Sequence, residues 1–200
     1  MINFFAPTQG ILSDRDIIKT FAEPTSPGKI TPFFPYLIKE GLSYGLSSFG
    51  YDFRLSPHDF YVMPFTEGYV IDPKSLTKEQ LNHQQATIDE SGVYFIIPPN
   101  SYALGCFVEY IEMPDDVIGI CWGKSTNARS GLIINVTPIE PGWHGWITVE
   151  ITNSSPNPCK VYCEGIAQYT FFRGKEPQVK YESRKYQDQQ SEVTLPRVTP

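Results

Sequence analysis

Apolar and polar positions change their pattern near residue 93. From there the chain carries short β-branched or aromatic runs at 93–97, 101–111, 117–122, 132–137, 145–152 and 165–172. Pro-Pro-Asn, Pro-Asp-Asp, Pro-Gly or Asn-Pro turns bound them, which is the pattern of strands rather than helices. Upstream, the spacing predicts one clear helix. Ser13-Asp14-Arg15-Asp16 has the form of a capping box with Asp in place of Glu, Ile17, Ile18 and Phe21 supply an apolar side, and Pro24 ends it. A second short helix is expected over 75–83, a polar stretch of good helix formers. Residues 24–50 read as irregular structure with short strands. Many strands without intervening helices predict a mainly β fold, a sandwich, jelly roll or distorted barrel with one or two short helices. No repeat of 20–50 residues and no low-complexity linker divides the chain, so 1–200 is expected to be a single domain, with 173–200 as a C-terminal tail.

Composition narrows this picture. Proline (18) and glycine (15) interrupt the 200 residues too often for a helical bundle. Thirteen Phe, twelve Tyr and three Trp argue against disorder. No apolar run approaches the roughly 18–20 residues that span a bilayer. The first ten residues lack a basic start and a long apolar stretch, so no signal peptide is expected. Cys106, Cys121, Cys159 and Cys163 are expected to be reduced packing residues of a cytoplasmic protein. A net charge of −6 disfavours binding to a nucleic-acid backbone. The 173–200 segment differs, with six basic and four acidic side chains.

Several chemistries lack their residues. His58, His83 and His144 stand in no H-x-E pair, and Cys159 and Cys163 are spaced C-x-x-x-C, so the zinc deaminase signature is missing. No convincing trio of catalytic zinc ligands is visible, and no phosphate loop, nucleophile elbow or dinucleotide fingerprint occurs.

Three segments carry candidate chemistry. Residues 123–131, Gly-Lys-Ser-Thr-Asn-Ala-Arg-Ser-Gly, offer two cations, hydroxyls and loop amides to a polyphosphate, or else form a solvated turn. In 145–152, alternation puts Ile147, Val149 and Ile151 on one face and Trp146, Thr148, Glu150 and Thr152 on the other. A shielded Glu150 would have a raised pKa suited to general base or acid work; the alternative is an exposed glutamate on a wet sheet face. Residues 181–190, Tyr-Glu-Ser-Arg-Lys-Tyr-Gln-Asp-Gln-Gln, read either as a mobile cover for a ligand or as a frayed terminus.

Together these segments resemble the dCTP deaminase family, a branch of the trimeric dUTPase-like superfamily. The motifs run in order: Ile-Leu-Ser-Asp-Arg-Asp-Ile at 11–17, Ser-Tyr-Gly-Leu-Ser-Ser-Phe-Gly-Tyr-Asp-Phe-Arg at 43–54, and Ile-Pro-Pro-Asn-Ser-Tyr-Ala-Leu at 97–104. Gly-Lys-Ser-Thr-Asn-Ala-Arg at 123–129, Asn-Val-Thr-Pro-Ile-Glu-Pro at 135–141 and Thr-Val-Glu at 148–150 follow. Glu-Gly-Ile-Ala-Gln at 164–168, Lys-Tyr-Gln at 185–187 and Val-Thr-Leu-Pro at 193–196 close the set.

The resemblance implies a distorted β-barrel of the dUTPase-like, or β-clip, type, assembled as a homotrimer with active sites between subunits. It implies zinc-independent hydrolysis of dCTP to dUTP and ammonia, supplying dUTP toward dUMP and dTTP synthesis. Glu150 would be the catalytic carboxylate. Lys124, Ser125, Thr126, Asn127, Ala128 and Arg129 would hold the triphosphate, and Thr137 and Pro138 would border the base. Thr148 and Val149 would flank Glu150, while Gln168, Tyr181, Lys185 and Gln189 would touch phosphates or close over the nucleotide. Magnesium would arrive on the triphosphate, with no metal site of the protein's own. Asp52 and Arg54 are expected to be structural, in an ion pair. The stretch from Val136 to Trp143 is shorter than in many bacterial members and resembles another branch of the family.

Alternatives stay open at this level. Residues 128–132, Ala-Arg-Ser-Gly-Leu, also echo a dUTP pyrophosphatase motif, and a bifunctional enzyme would take dCTP to dUMP and pyrophosphate. Whether dUTP and dTTP also bind is open, as is a non-enzymatic nucleotide-binding barrel.

Overall fold

A computed structural model describes residues 9–64, 67–68, 70–179, 181 and 185–198. In chain order come β1 (Gly10–Ile11), helix α1 (Asp14–Phe21), β2 (Lys29–Thr31), β3 (Leu37–Ile38), β4 (Tyr44–Ser47) and β5 (Gly50–Arg54). Next are β6 (Tyr61–Val62), a 3-10 turn (Lys78–Gln80), β7 (Asn82–His83), β8 (Thr87–Asp89), β9 (Gly92–Ile97) and β10 (Ser101–Glu112). Then β11 (Val117–Gly123), a short helix α2 (Ser125–Arg129), β12 (Leu132–Asn135), β13 (His144–Asn153), β14 (Cys159–Tyr162) and β15 (Gly165–Arg173).

The capping box forms as its residues require. Asp16 N donates to Ser13 Oγ at 3.4 Å, and Ser13 N donates to Asp16 Oδ2 at 3.2 Å, so two orphan donors at the start of α1 are satisfied. The Ser13 hydroxyl, foremost, holds the Asp16 carboxyl below its ordinary pKa. Two sequence expectations need correction. The region 75–83 holds only the 3-10 turn before entering β7, and the polar segment after Gly123 is not a loop but the helix α2.

The strands lie in three sheets rather than one continuous ring. In the first, β15 lies between β1 and β5, with β4 and β3 beyond β5, and also pairs with β11. The second runs β12-β13-β10-β6-β7 with β2 on β10, and the third is β14-β9-β8. Every pairing between these named strands is antiparallel. The core joins them: the Phe53 ring meets Tyr51, Phe107 and Tyr169 at centroid separations of 5.2, 5.3 and 5.2 Å, and Phe60 stacks on Phe95 at 4.1 Å. Ile147, Val149 and Ile151 are all buried in this core, as strand alternation predicted.

One charge lies inside. Glu109 is fully buried where the β10–β13 register shifts between Cys106 and Tyr110. Arg54 reaches it through Nε at 2.7 Å and its backbone N at 2.9 Å, with its guanidinium over the Phe34 and Tyr44 rings. Asp52 instead pairs with Lys124, so the expected Asp52–Arg54 pair is replaced by two pairs with more distant partners. All four cysteines are free thiols. Among the described residues, no helix is long and apolar enough to cross a membrane.

Candidate active site

Strand β13 sits between β10 and β12, which fixes the surroundings of Glu150: Leu104 lies opposite on one side and Asn135 on the other. The carboxylate opens into a cavity of about 690 Å³ whose walls include Ile118, Val136, Pro138, Ile139, Trp143 and Ile147. That volume suits a small ligand with an aromatic ring. Polar residues on the lining are few: Thr137, Glu140, Thr148, Gln189, Thr194 and the tyrosines Tyr102, Tyr181 and Tyr186 accompany Glu150. Burial among these walls pushes the Glu150 carboxyl from 4.5 up to about 7. Its Oε2 is buried and has no hydrogen-bond partner among the described residues. A carboxylate in this state accepts and returns a proton near neutrality.

The tail forms one side of the cavity. The Thr148 hydroxyl donates to Gln189 Oε1 at 3.2 Å and accepts from Thr194 N at 2.9 Å. Gln189 also makes a parallel bridge to Gly145, with Trp146 N donating to Gln189 O at 3.0 Å. Glycine is needed there: φ is +143°, and a Cβ would meet Gln189 N at 2.8 Å. Trp143 Nε1 donates to Tyr186 O at 2.7 Å, and Val193 N to Asp59 Oδ2 at 2.6 Å, which buries the Val193 side chain. Beside them, His144 Nε2 lies 2.6 Å from Asp188 Oδ1.

The residues predicted for the site fall into two groups. Glu150, Thr137, Pro138, Thr148, Tyr181 and Gln189 line the one cavity. Val149 is fully buried in the core and does not line the cavity. Lys124 to Arg129 do not line the cavity; α2 precedes β12 and lies at the end of that strand away from Thr137. Within it, Ser125, Thr126, Ala128 and Arg129 are exposed. Asn127 is buried and donates to Ile166 O at 3.3 Å. Lys124 Nζ donates to Ser43 O at 2.6 Å and pairs with Asp52, whose other oxygen accepts from Gln168 Nε2 at 2.9 Å. Two groups expected at the phosphates therefore grip one buried aspartate. Lys185 is exposed, with its carbonyl held by Arg197.

Sequence reasoning missed Tyr102, Trp143, Tyr186 and Thr194 on the lining. Alternation already places Tyr102 and Leu104 on one face of β10, and the register that sets Leu104 against Glu150 brings that face to the site. Among the described residues, no three His, Cys, Asp or Glu side chains cluster as metal ligands.

Known proteins resemble this chain in sequence and in fold. Residues 11–174 match a family described as dCTP deaminase-like. Over 193 residues the chain is 44% identical to a protein of Acidobacterium capsulatum named dCTP deaminase, covering 94% of this chain and 99% of that one. A protein of Anaplasma phagocytophilum with the same name is 48% identical over 179 residues, 86% of this chain and 91% of that one. The crystal structure of 2'-deoxycytidine 5'-triphosphate deaminase from Agrobacterium tumefaciens shares the fold, with a TM-score of 0.58 and 19% identity over 84% of this chain. The present chain covers 49% of that one.

Proposed function

The chain belongs to the dCTP deaminase-like family, and we propose that Glu150 is the carboxylate with which it deaminates dCTP. The observation that carries this reading is a glutamate in an apolar cavity, raised to about 7, with one oxygen unpartnered among the described residues.

The chemistry follows from that carboxylate. Ionised Glu150 takes a proton from a water as the oxygen attacks C4 of cytosine, giving a tetrahedral intermediate. It then returns that proton to the C4 amino group; the second water proton passes from the C4 hydroxyl to N3, the C–N bond breaks, ammonia leaves, and the C4 carbonyl of dUTP remains. Base strength comes from the dry wall of Ile118, Val136, Ile139, Trp143 and Ile147, which penalises the charged form. Thr137, Pro138 and the backbone at Thr148 hold the ring edge. Tyr181 and the tail at Gln189 cover the nucleotide and exclude bulk water, with Lys185 beside them.

Ser125 and Arg129 are exposed and outside the cavity, while Glu150 lies within it. A triphosphate engaging both sets is best served by a second copy of the chain supplying its α2 to the first copy's cavity. The reading is therefore a cytoplasmic homotrimer with sites between subunits, each one domain over 1–200. In it Ser125, Thr126, Ala128 and Arg129 face the phosphates, and Asn127, Lys124 and Gln168 hold that surface in shape from behind. Magnesium enters as part of the nucleotide.

Turnover of dCTP with ammonia, dUTP and pyrophosphate followed separately tests the reading. Ammonia and dUTP in equal amounts are expected; release of pyrophosphate would replace simple deamination with the bifunctional reaction.

A further inference from the structure

Alternation along β10 puts Ala103 in the main core and Leu104 in a second, smaller one, where it is buried with Leu81 and the tail residue Val193. Leu76 and Tyr102 pack against this small core, and with Leu104 they also line the Glu150 cavity. Strand register sets out a row across the same face: His83 of β7, Tyr61 of β6, Leu104 of β10 and Glu150 of β13 lie side by side. Leu104 is thus the apolar residue between the carboxylate and a polar edge.

The tail crosses that row, and three consecutive tail residues are each held by a different element. Glu192 Oε2 pairs with Lys78 Nζ of the 3-10 turn at 3.0 Å. Val193 N donates to Oδ2 of Asp59, in the loop between β5 and β6, at 2.6 Å. Thr194 N donates to the Thr148 hydroxyl of β13 at 2.9 Å. Asp59 is the centre of this grip: its carboxylate also lies 3.6 Å from Lys78 Nζ and 3.7 Å from His83 Nε2, and Lys78 Nζ stands over the Tyr61 ring at 5.4 Å. Asp59, Lys78, His83 and Glu192 all lie outside the cavity. A backbone N–H drawn into an apolar cluster loses its water, and a carboxylate acceptor offsets that loss with a charge-assisted bond.

We propose that Asp59 is a positioning residue for the deamination: by holding the Val193 amide it seats the Val193 side chain on Leu104 and seals the cavity beside Glu150 along its β6 edge.

The path from Asp59 to the carboxylate runs through packing, Val193 on Leu104 and Leu104 beside Glu150. Loss of the seal admits water at that edge. Burial is what raises the Glu150 carboxyl, so hydration returns it toward 4.5 and makes it a weaker base under a looser cover. The cavity's other titratable groups, Tyr102, Glu140, Tyr181 and Tyr186, stay the same when only Asp59 is changed.

This inference rests on Glu150 being the base, and the test keeps the two apart. Amide exchange at Val193 and Thr194, the Glu150 carboxyl midpoint by 13C NMR (its signal assigned by loss in Glu150→Gln) and the pH dependence of kcat/KM for dCTP are measured in wild type, Asp59→Ala and Asp59→Asn. In Asp59→Ala, exchange is expected to quicken at least about tenfold and the midpoint to fall by about one pH unit, with the acidic limb following it down and KM near pH 8 rising about fivefold. Asp59→Asn keeps an oxygen for the Val193 amide, so it is expected to shift each quantity by less. A midpoint within about 0.3 units of wild type in Asp59→Ala overturns the proposal, whatever happens to exchange. Equal midpoint shifts in the two variants also overturn it, since they mark an effect of the lost charge rather than of the seal. A midpoint that falls most in Asp59→Ala while the limb stays in place upholds the seal and overturns instead the reading of Glu150 as the base.

Discussion

The backbone amide of Thr194 is fastened to the Thr148 hydroxyl at 2.9 Å, two residues along β13 from Glu150. The tail therefore reports directly on the strand that carries the carboxylate. Closure depends on the bare backbone at Gly145, where Gln189 approaches too closely for any Cβ. Gly145→Ala is expected to release the tail, raising KM for dCTP about tenfold and removing the exchange protection of the Val193 and Thr194 amides, while the rest of the fold is kept. Hydrogen exchange with steady-state kinetics checks this.

The raised pKa of Glu150 has a sign in stability. Below about 4.5 the carboxyl is protonated in both folded and unfolded chains, and its burial carries no charge penalty. Between 4.5 and about 7 the unfolded chain ionises first, so stability from this residue is lost as pH rises through that window. Glu150→Gln is expected to exceed wild type by about 3 kcal/mol near pH 8 and to match it near pH 4. Denaturant titrations at the two pH values measure the difference.

Exposed Arg129, away from the cavity, leads to a complementation test. Arg129→Ala is expected to raise KM for dCTP at least tenfold with a smaller change in kcat, as loss of a bidentate phosphate contact would. Glu150→Gln and Arg129→Ala chains, denatured together and refolded, should regain activity approaching about a quarter of wild type, because some sites then combine both intact residues. Sites built within one chain would regain none.

The Arg54–Glu109 pair stands apart from the chemistry. Arg54→Met leaves Glu109 charged and buried without its partner, and is expected to cost about 3–5 kcal/mol of stability. Replacing both by apolar residues of similar volume should recover most of that loss. Urea unfolding of the single and double variants reads it.

Much of this was legible in the sequence because local rules govern it. Period-two alternation placed Ile147, Val149 and Ile151 in the core and Glu150 on the other face, and the Ser13–Asp16 spacing marked the start of α1. The failures involve long-range partners. Composition presents Lys124 as a free cation, yet 72 residues earlier in the chain lies Asp52, which takes its charge. Gln168 is drawn to the same aspartate, since Trp122 and Asp52 lie at its register positions in β11 and β5. The cavity's Trp143, Tyr186 and Thr194 were hidden for a similar reason: only the return of the tail onto β13 brings them together.

Whether Glu150 carries the deamination is decided by ammonia release from dCTP, compared between wild type and Glu150→Gln. Wild type is expected to release ammonia with one dUTP per turnover. Glu150→Gln is expected to lose about 10³-fold in kcat while binding dCTP within about tenfold of wild type. A Glu150→Gln enzyme that retains more than about a tenth of wild-type kcat would contradict the account.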